Sequence, residues 1–335
     1  MSLPSTPLSI KPSTSELKDG VLTQKNLEIA IRALERDGLV VIEDLVQHAT
    51  LDKLNNKMVE DAYDLQSRKD SPFNYNKGNI QQDPPMVKEF FSEEVFTNPI
   101  VTQVTSTALG PKPSLRFMSG NTALPPTADS PPASQPTHTD ADFDHPHIPF
   151  ALVVNVPLIT METQNGSTEV WLGTHSETSI ADQEGAHGER ASGRIKKNLL
   201  EARRKVRAPC QPTVKKGSIV VRDLRLWHGG KPNLSDEPRV MLAMSELCPT
   251  KIPYKTHCAD PSPVHFAPWY RNQMTVEFAE NLKDQLTPEK TGLHVAAEYV
   301  ASEKLEVEKG YLNRPYGNAY DFDQVDKVQD LCSEV

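Results

Sequence analysis

Apolar residues recur at Leu27, Ala30, Ile31 and Leu34, the i, i+3, i+4, i+7 spacing of one helical face. Gly38 follows Asp37 and is placed as a helix stop, because glycine enters the left-handed region without steric cost. The apolar run Leu39–Ile42 then suits a short buried strand, and Leu51, Leu54, Met58, Ala62 and Leu65 mark a second amphipathic helix. Residues 67–88 are polar and read as irregular, and 89–109 accommodate one or two short helices. From about residue 113 short β-branched runs alternate with Pro, Gly and Asn. They predict strands at Ser114–Met118, Phe150–Leu158, Glu169–Leu172, Ser218–Arg222 and Arg239–Met244. Helices followed by many short strands describe a mainly β sandwich or barrel with flanking helices. A charged helical insertion is expected at 186–208 and a late helix at Val276–Leu286. The polar, Pro/Ser/Thr-rich residues 1–20 read as a flexible tail, leaving one domain over 21–290 and an extension over 291–335.

Composition narrows the class. The 28 Pro outnumber the 16 Gly, the reverse of the usual balance of about 5% and about 7%, which describes a loop-rich globular chain and excludes collagen. The net charge is −9, and an acidic chain without a basic stripe is a poor nucleic-acid binder. The one basic run, Arg194 to Arg207, reads as a solvated helical face. No stretch approaches the roughly 20 apolar residues of a membrane span. The N-terminus lacks the apolar core of a secretory signal, so a cytoplasmic chain is expected, with its four sparse cysteines reduced. A homodimer is left open.

The chemistry concentrates in Gln135-Pro-Thr-His138-Thr-Asp140. On extended backbone His138 and Asp140 share a face and can offer an imidazole and a carboxylate to one ion. Alone, this pair is more often a polar loop. A second imidazole comes from His228, which closes the strand-like run from Lys216 and precedes Gly229-Gly230, where backbone can approach a ligand closely. Eleven residues on, Arg239 opens a strand in which it shares a face with Met241 and Ala243. A guanidinium there needs an anion, either a structural Asp or Glu or a ligand carboxylate held bidentately. Two His and one carboxylate on one face form the facial triad of non-haem Fe(II) oxygenases, with three positions open.

With these pieces in order, the chain resembles the phytanoyl-CoA dioxygenase-like family of Fe(II)/2-oxoglutarate-dependent oxygenases, especially its fungal secondary-metabolism branch. Further matching blocks are Asp37–Ile42, Val154–Leu158, Asn165–Val170, Gly173–His175 and Lys216–Gly230. The resemblance implies a double-stranded β-helix, a cupin-like jelly roll with the metal at its mouth. It implies that His138, Asp140 and His228 are the iron ligands and that Arg239 binds the distal carboxylate of 2-oxoglutarate. Thr168 matches a position that often bonds the cosubstrate, and Gln135 is a contact to cosubstrate or substrate. It also implies Fe(II), 2-oxoglutarate and O2 as cofactor and cosubstrates, a small-molecule substrate, and release of succinate and CO2. Hydroxylation, desaturation, cyclisation, epoxidation and endoperoxidation all remain open as outcomes. A small secondary metabolite is the expected substrate class.

Other residues have plainer readings. His175 is expected to stabilise a turn, His145 and His147 to lie near the entrance, and Asp142 and Asp144 to be solvated. Trp227 lines the cavity or is ordinary core, and Gln81 and Gln82 sit on a loop over the site. Residues 245–264, with Pro249, Pro253 and Pro261, interrupt the family pattern as a lid-like loop or a segment foreign to the domain. Two alternatives share the jelly roll: a cupin-like metalloenzyme that does not use 2-oxoglutarate, and a non-catalytic binding protein.

Overall fold

The computed structural model describes residues 4–247, apart from 70, 72, 86–89, 91, 111–112, 142–144, 146 and 185–192, together with the strand 273–277. Cys248, Cys258, Cys332, Asp142, Asp144, the extension 291–335 and most of 245–264 lie outside the described residues.

The chain opens with strand β1 (Leu8–Ile10) and helix α1 (Thr14–Asp19), then α2 (Gln24–Asp37), β2 (Leu39–Ile42) and α3 (His48–Gln66). The hairpin β3 (Phe73–Asn74) and β4 (Asn76–Gln82) follows, then α4 (Glu93–Phe96), α5 (Pro99–Leu109), β5 (Ser114–Ala123) and β6 (Ala151–Pro157). The remaining elements are β7 (Thr168–Val170), α6 (Lys197–Val206), β8 (Ile219–Asp223), β9 (His228–Gly230), β10 (Arg239–Leu247) and β11 (Gln273–Glu277).

Helix α2 starts at Thr23, whose hydroxyl accepts from the Asn26 N–H, and stops at Gly38 with φ +76°. A Cβ there would stand 2.6 Å from His175 Nδ1, so the stop is also a close approach. Helix α3 buries the stripe its periodicity predicts: Leu51, Leu54, Met58, Ala62 and Leu65.

The large sheet runs β1-β2-β8-β6-β10-β5-β4-β3, with β11 on β5; β1–β2 is its one parallel pair. A second, small sheet pairs β7 with β9. Isolated bridges widen it by joining His138 to His228, Val170 to Cys210 and Met161 to Val214. The two sheets make a jelly roll. Period two divides the large sheet cleanly. Val40, Ile42, Val154, Val156, Val221, Val240 and Leu242 face the helices and merge with α2, α3 and α5 into one core. Each such aliphatic side chain contributes about 1.5–3 kcal/mol by leaving water. The alternate positions line a cavity between the sheets.

Four expectations change. The described part of residues 1–20, from residue 4 on, is not a flexible tail: β1 pairs with β2, and Ser13 and Glu16 cap α1 reciprocally. Residues 67–88 are not irregular throughout, since β3 and β4 join the sheet through β5. Strand β10 continues to Leu247, past the expected start of the inserted segment. Where a helix was expected from Val276, residues through Glu277 are strand; the rest of that span lies outside the described residues.

Candidate metal centre

His138 and His228 face one another because their backbones exchange both hydrogen bonds of an antiparallel pair. His138 N donates to the His228 carbonyl at 2.8 Å, and His228 N donates to the His138 carbonyl at 2.9 Å. Directly opposite residues present their side chains on one face, and the ring centroids are 4.4 Å apart. Neighbouring side chains turn the other way, as alternation requires: Thr139 Oγ1 donates to the Leu224 carbonyl, and the Trp227 indole donates to Thr178 Oγ1. Asp140, two residues on, returns to the face of His138.

Each imidazole has its Nδ1 2.9 Å from a carbonyl oxygen, Pro136 for His138 and Leu226 for His228. A carbonyl only accepts, so Nδ1 carries the proton and each Nε2 is left as a lone-pair donor. Both Nε2 atoms lie 3.7 Å from an Asp140 oxygen, and the three ligand atoms fall within 4.8 Å of one another. Burial lowers the pKa of both histidines, which keeps them neutral at pH 7. Burial, the largest single influence, would raise the Asp140 pKa, but the surrounding positive charge, led by the Arg222 guanidinium 2.5 Å away, holds the group well below the carboxylate range. Because the imidazoles are neutral, Arg222 is the standing charge that keeps Asp140 ionised. Two neutral nitrogens and an anionic oxygen converging in one cavity suit a divalent first-row metal.

Arg239 lies on the same inner face of the sheet and is 3% exposed. It donates to the carbonyls of Gly166 (3.0 Å) and Asn165 (3.5 Å). Burial lowers its pKa to about 10, and no carboxylate among the described residues compensates. It therefore stays charged at pH 7, with no anionic partner among the described residues. Gly166, at φ +78°, turns that carbonyl toward Arg239 and has Lys231 O where a Cβ would stand, 2.4 Å away.

Thr168 and Gln135 also line the cavity. The Gln135 amide oxygen accepts from Gly230 N at 2.8 Å, so part of that side chain holds the small sheet together. His175 is buried against Gly38, as a turn-stabilising residue. His145 stacks on Phe150 and His147 is exposed; neither joins the three ligand atoms. Trp227 packs with Trp171 and Ile195, which makes it core and not cavity lining. Gln81 and Gln82 are strand residues, not loop: Gln81 faces the cavity, while Gln82 turns to the helices and bonds the Met58 carbonyl. The basic run is largely a solvated helical face, as expected, with some of its cations also bonded to the protein. Arg203 bonds the Leu172 carbonyl, Arg204 covers Trp171, and Arg207 pairs with Asp37.

Arg222 escaped the sequence reading. The signal for it was a charged residue at an inward position of a strand whose alternate residues are all apolar, Ile219 and Val221 on one face and Val220 beside it.

The family model described as phytanoyl-CoA dioxygenase matches residues 34–241. Among solved structures, the α-ketoglutarate-dependent epimerase SnoN from nogalamycin biosynthesis, held with Fe3+ and α-ketoglutarate, superposes with a TM-score of 0.52 at 16% identity. That match covers 72% of this chain and 97% of SnoN. EctD from S. alaskensis gives 0.49 at 16% identity over 74% of this chain and 82% of its own. AviO1 from Streptomyces viridochromogenes gives 0.47 at 17% over 68% and 97%. At 16% identity the likeness to SnoN is one of fold. Among the described residues no helix is long and apolar enough to cross a membrane.

Proposed function

Because this chain belongs to the phytanoyl-CoA dioxygenase family, whose enzymes use non-haem Fe(II), 2-oxoglutarate and O2, we propose that it oxidises an unactivated C–H bond of a small molecule. His138, Asp140 and His228 would hold the iron, and Arg239 the distal carboxylate of 2-oxoglutarate. The observation that carries this reading is the pairing, within one cavity, of a converging His/Asp/His set with a buried, uncompensated guanidinium. A metal without a dicarboxylate cosubstrate would leave Arg239 desolvated for nothing.

When bound, iron would activate O2 as the oxidant, with 2-oxoglutarate as the co-reductant that leaves as succinate and CO2. The chain's share is placement. The carbonyls of Pro136 and Leu226 fix the two imidazole tautomers, and Arg222 keeps Asp140 anionic and fixes its rotamer. Arg239 sets the cosubstrate's orientation by a charge-assisted contact. The apolar side of the cavity, Leu39, Val41, Val220 and Met241, excludes water from the reacting atoms.

Anaerobic addition of Fe(II) and 2-oxoglutarate is expected to produce the weak visible charge-transfer band of a chelated 2-oxo acid. Asp140→Ala is expected to lose both the band and succinate formation. Full succinate turnover by that variant would sink the assignment.

A further inference from the structure

The cavity has two unlike walls. Its β2 and β8 side is aliphatic apart from Arg222, whereas the β3, β4 and β5 side carries five amides: Asn74, Asn76, Asn79, Gln81 and Asn121. Register explains the grouping, since Gln81 stands directly opposite Asn121 and Asn79 opposite Ala123. The wall adjoins the metal donors: Tyr75, in the turn between β3 and β4, places its ring 5.3 Å from that of His138.

The amide orientations follow from their partners. Asn79 Nδ2 lies 3.0 Å from the Asn74 backbone carbonyl, which only accepts, so the nitrogen is the atom turned to the protein. Ser119 donates its hydroxyl proton to the Gln82 carbonyl and so receives Gln81 Nε2 at 3.4 Å. Asn74 Nδ2 donates to Asn121 Oδ1 at 2.9 Å. The NH2 groups of Asn74, Asn79 and Gln81 are thus used by the protein. The oxygens Asn74 Oδ1, Asn79 Oδ1 and Gln81 Oε1 are buried with no donor among the described residues, in residues that are 5%, 7% and 4% exposed.

Buried acceptors without donors are costly, and here they line a cavity of about 1410 Å³ counted to its open mouth. An apolar substrate would leave all three unpaired. An anion would be repelled by these three acceptors, and the cavity's cationic side chains, Arg222, Lys231 and Arg239, lie off this wall. A cation would find no free carboxylate, because Asp140 is the only one among the described lining residues and Arg222 already holds it. A peptide-like ligand brings one carbonyl acceptor for each N–H, whereas a hydroxyl can turn to donate. Positions two apart on a strand and on adjacent strands are separated by about 5–7 Å, the scale of a ring bearing several hydroxyls.

We propose that this wall binds a neutral, hydroxyl-rich small molecule, a sugar or cyclitol, and presents one of its C–H bonds to the metal centre. The proposal rests on the oxygenase reading of the same cavity and narrows its substrate to the polyol class.

The test uses the full-length chain loaded anaerobically with Fe(II) and 2-oxoglutarate, with binding measured by calorimetry. The probes are a panel of free mono- and disaccharides and inositols, with farnesol and N-acetylglycinamide as apolar and amide comparisons. At least one polyol is expected to bind more tightly than either comparison. Gln81→Met and Asn79→Leu should each weaken that binding by roughly two- to tenfold, the worth of one neutral hydrogen bond. The charge-transfer band should persist in both variants, which certifies their fold and their metal centre. The proposal is overturned if no polyol binds, if farnesol or N-acetylglycinamide binds more tightly, or if a band-competent variant binds the polyol as well as the wild type does. The wild-type preference does not depend on any variant folding. Polyol binding that needs Gln81, in a chain that never forms the band, would keep the wall and discard the oxygenase reading. A normal band with no polyol binding would do the reverse.

Discussion

Arg239 is a side chain costly to the fold, which the proposed function makes necessary to the site. It is buried, charged, and bonded only to two carbonyls, a state that proteins rarely keep without a partner. Replacing it with methionine, of similar volume, removes the desolvation cost along with two hydrogen bonds. The two changes nearly offset, so the unliganded chain is expected to shift by less than about 1 kcal/mol. Affinity for 2-oxoglutarate should fall by roughly 10- to 150-fold, the worth of a charge-assisted bond. Thermal melts with and without 2-oxoglutarate read both quantities at once: the ligand raises the wild-type Tm and leaves Arg239→Met where it was. A large loss of stability without ligand, with affinity kept, would make Arg239 structural. Its inward placement was legible because a lone cation at an inward strand position is conspicuous in sequence, as were His138 and Asp140 at period two. Arg222 was not, since it merges with the polar strand end Asp223-Leu224-Arg225, and only its 2.5 Å contact to Asp140 separates it from them.

At the scale of elements, the junction of α2 and β2 ties stability to pH. Gly38 ends the helix in a left-handed turn and leaves room for His175, whose ring sits where a Cβ would be. Burial, aided by Arg225, lowers the His175 pKa from 6.5. The folded chain therefore binds fewer protons here than the unfolded chain below about pH 6.5. The contribution is present in full above that value and declines as pH falls from there toward the folded pKa. Unfolding free energy measured in denaturant from pH 7.5 to 5 should drop, and His175→Asn should drop less steeply from a lower start. Equal slopes would show that His175 does not carry the dependence. The helices of this layer were readable because their stripes are strongly periodic. The β3–β4 hairpin was not: Asn-Lys-Gly-Asn-Ile-Gln-Gln has almost no β-forming residues, and what holds it is tertiary pairing with β5 together with helix-facing Ile80 and Gln82. The polar residues that hid this strand from its sequence are the same ones that form the amide wall.

Across the whole molecule, the first twenty residues act as a strap over the jelly roll. β1 extends the large sheet through β2, burying Ile10. Glu16 caps α1, receives the Thr23 backbone N–H at 2.7 Å and is held at a pKa of about 2, chiefly by the Ser13 backbone N–H. Arg207, at the end of the α6 insertion, donates to the Pro4 carbonyl and pairs with Asp37 at the end of α2. The strap thus connects the sheet edge, the first long helix and the inserted helix, although its composition suggested a tail. The Ser13–Glu16 capping box was present in the sequence, but the Pro/Ser/Thr content around it spoke more loudly than one capping motif. Removing residues 1–20 exposes part of β2 and leaves Arg207 with one partner fewer. Burial of Ile10 and the lost ladder bonds together put the cost at about 2–4 kcal/mol, or roughly 5–10 °C in Tm for a domain of this size. The metal donors lie on the small sheet and at its bridge to 138, so the Fe(II)/2-oxoglutarate band should survive at low temperature. A truncated chain that melts within about 1 °C of the full one would return these residues to the status of a tail. One that melts early yet still forms the band would show that the strap serves the scaffold and leaves the chemistry to the inner face.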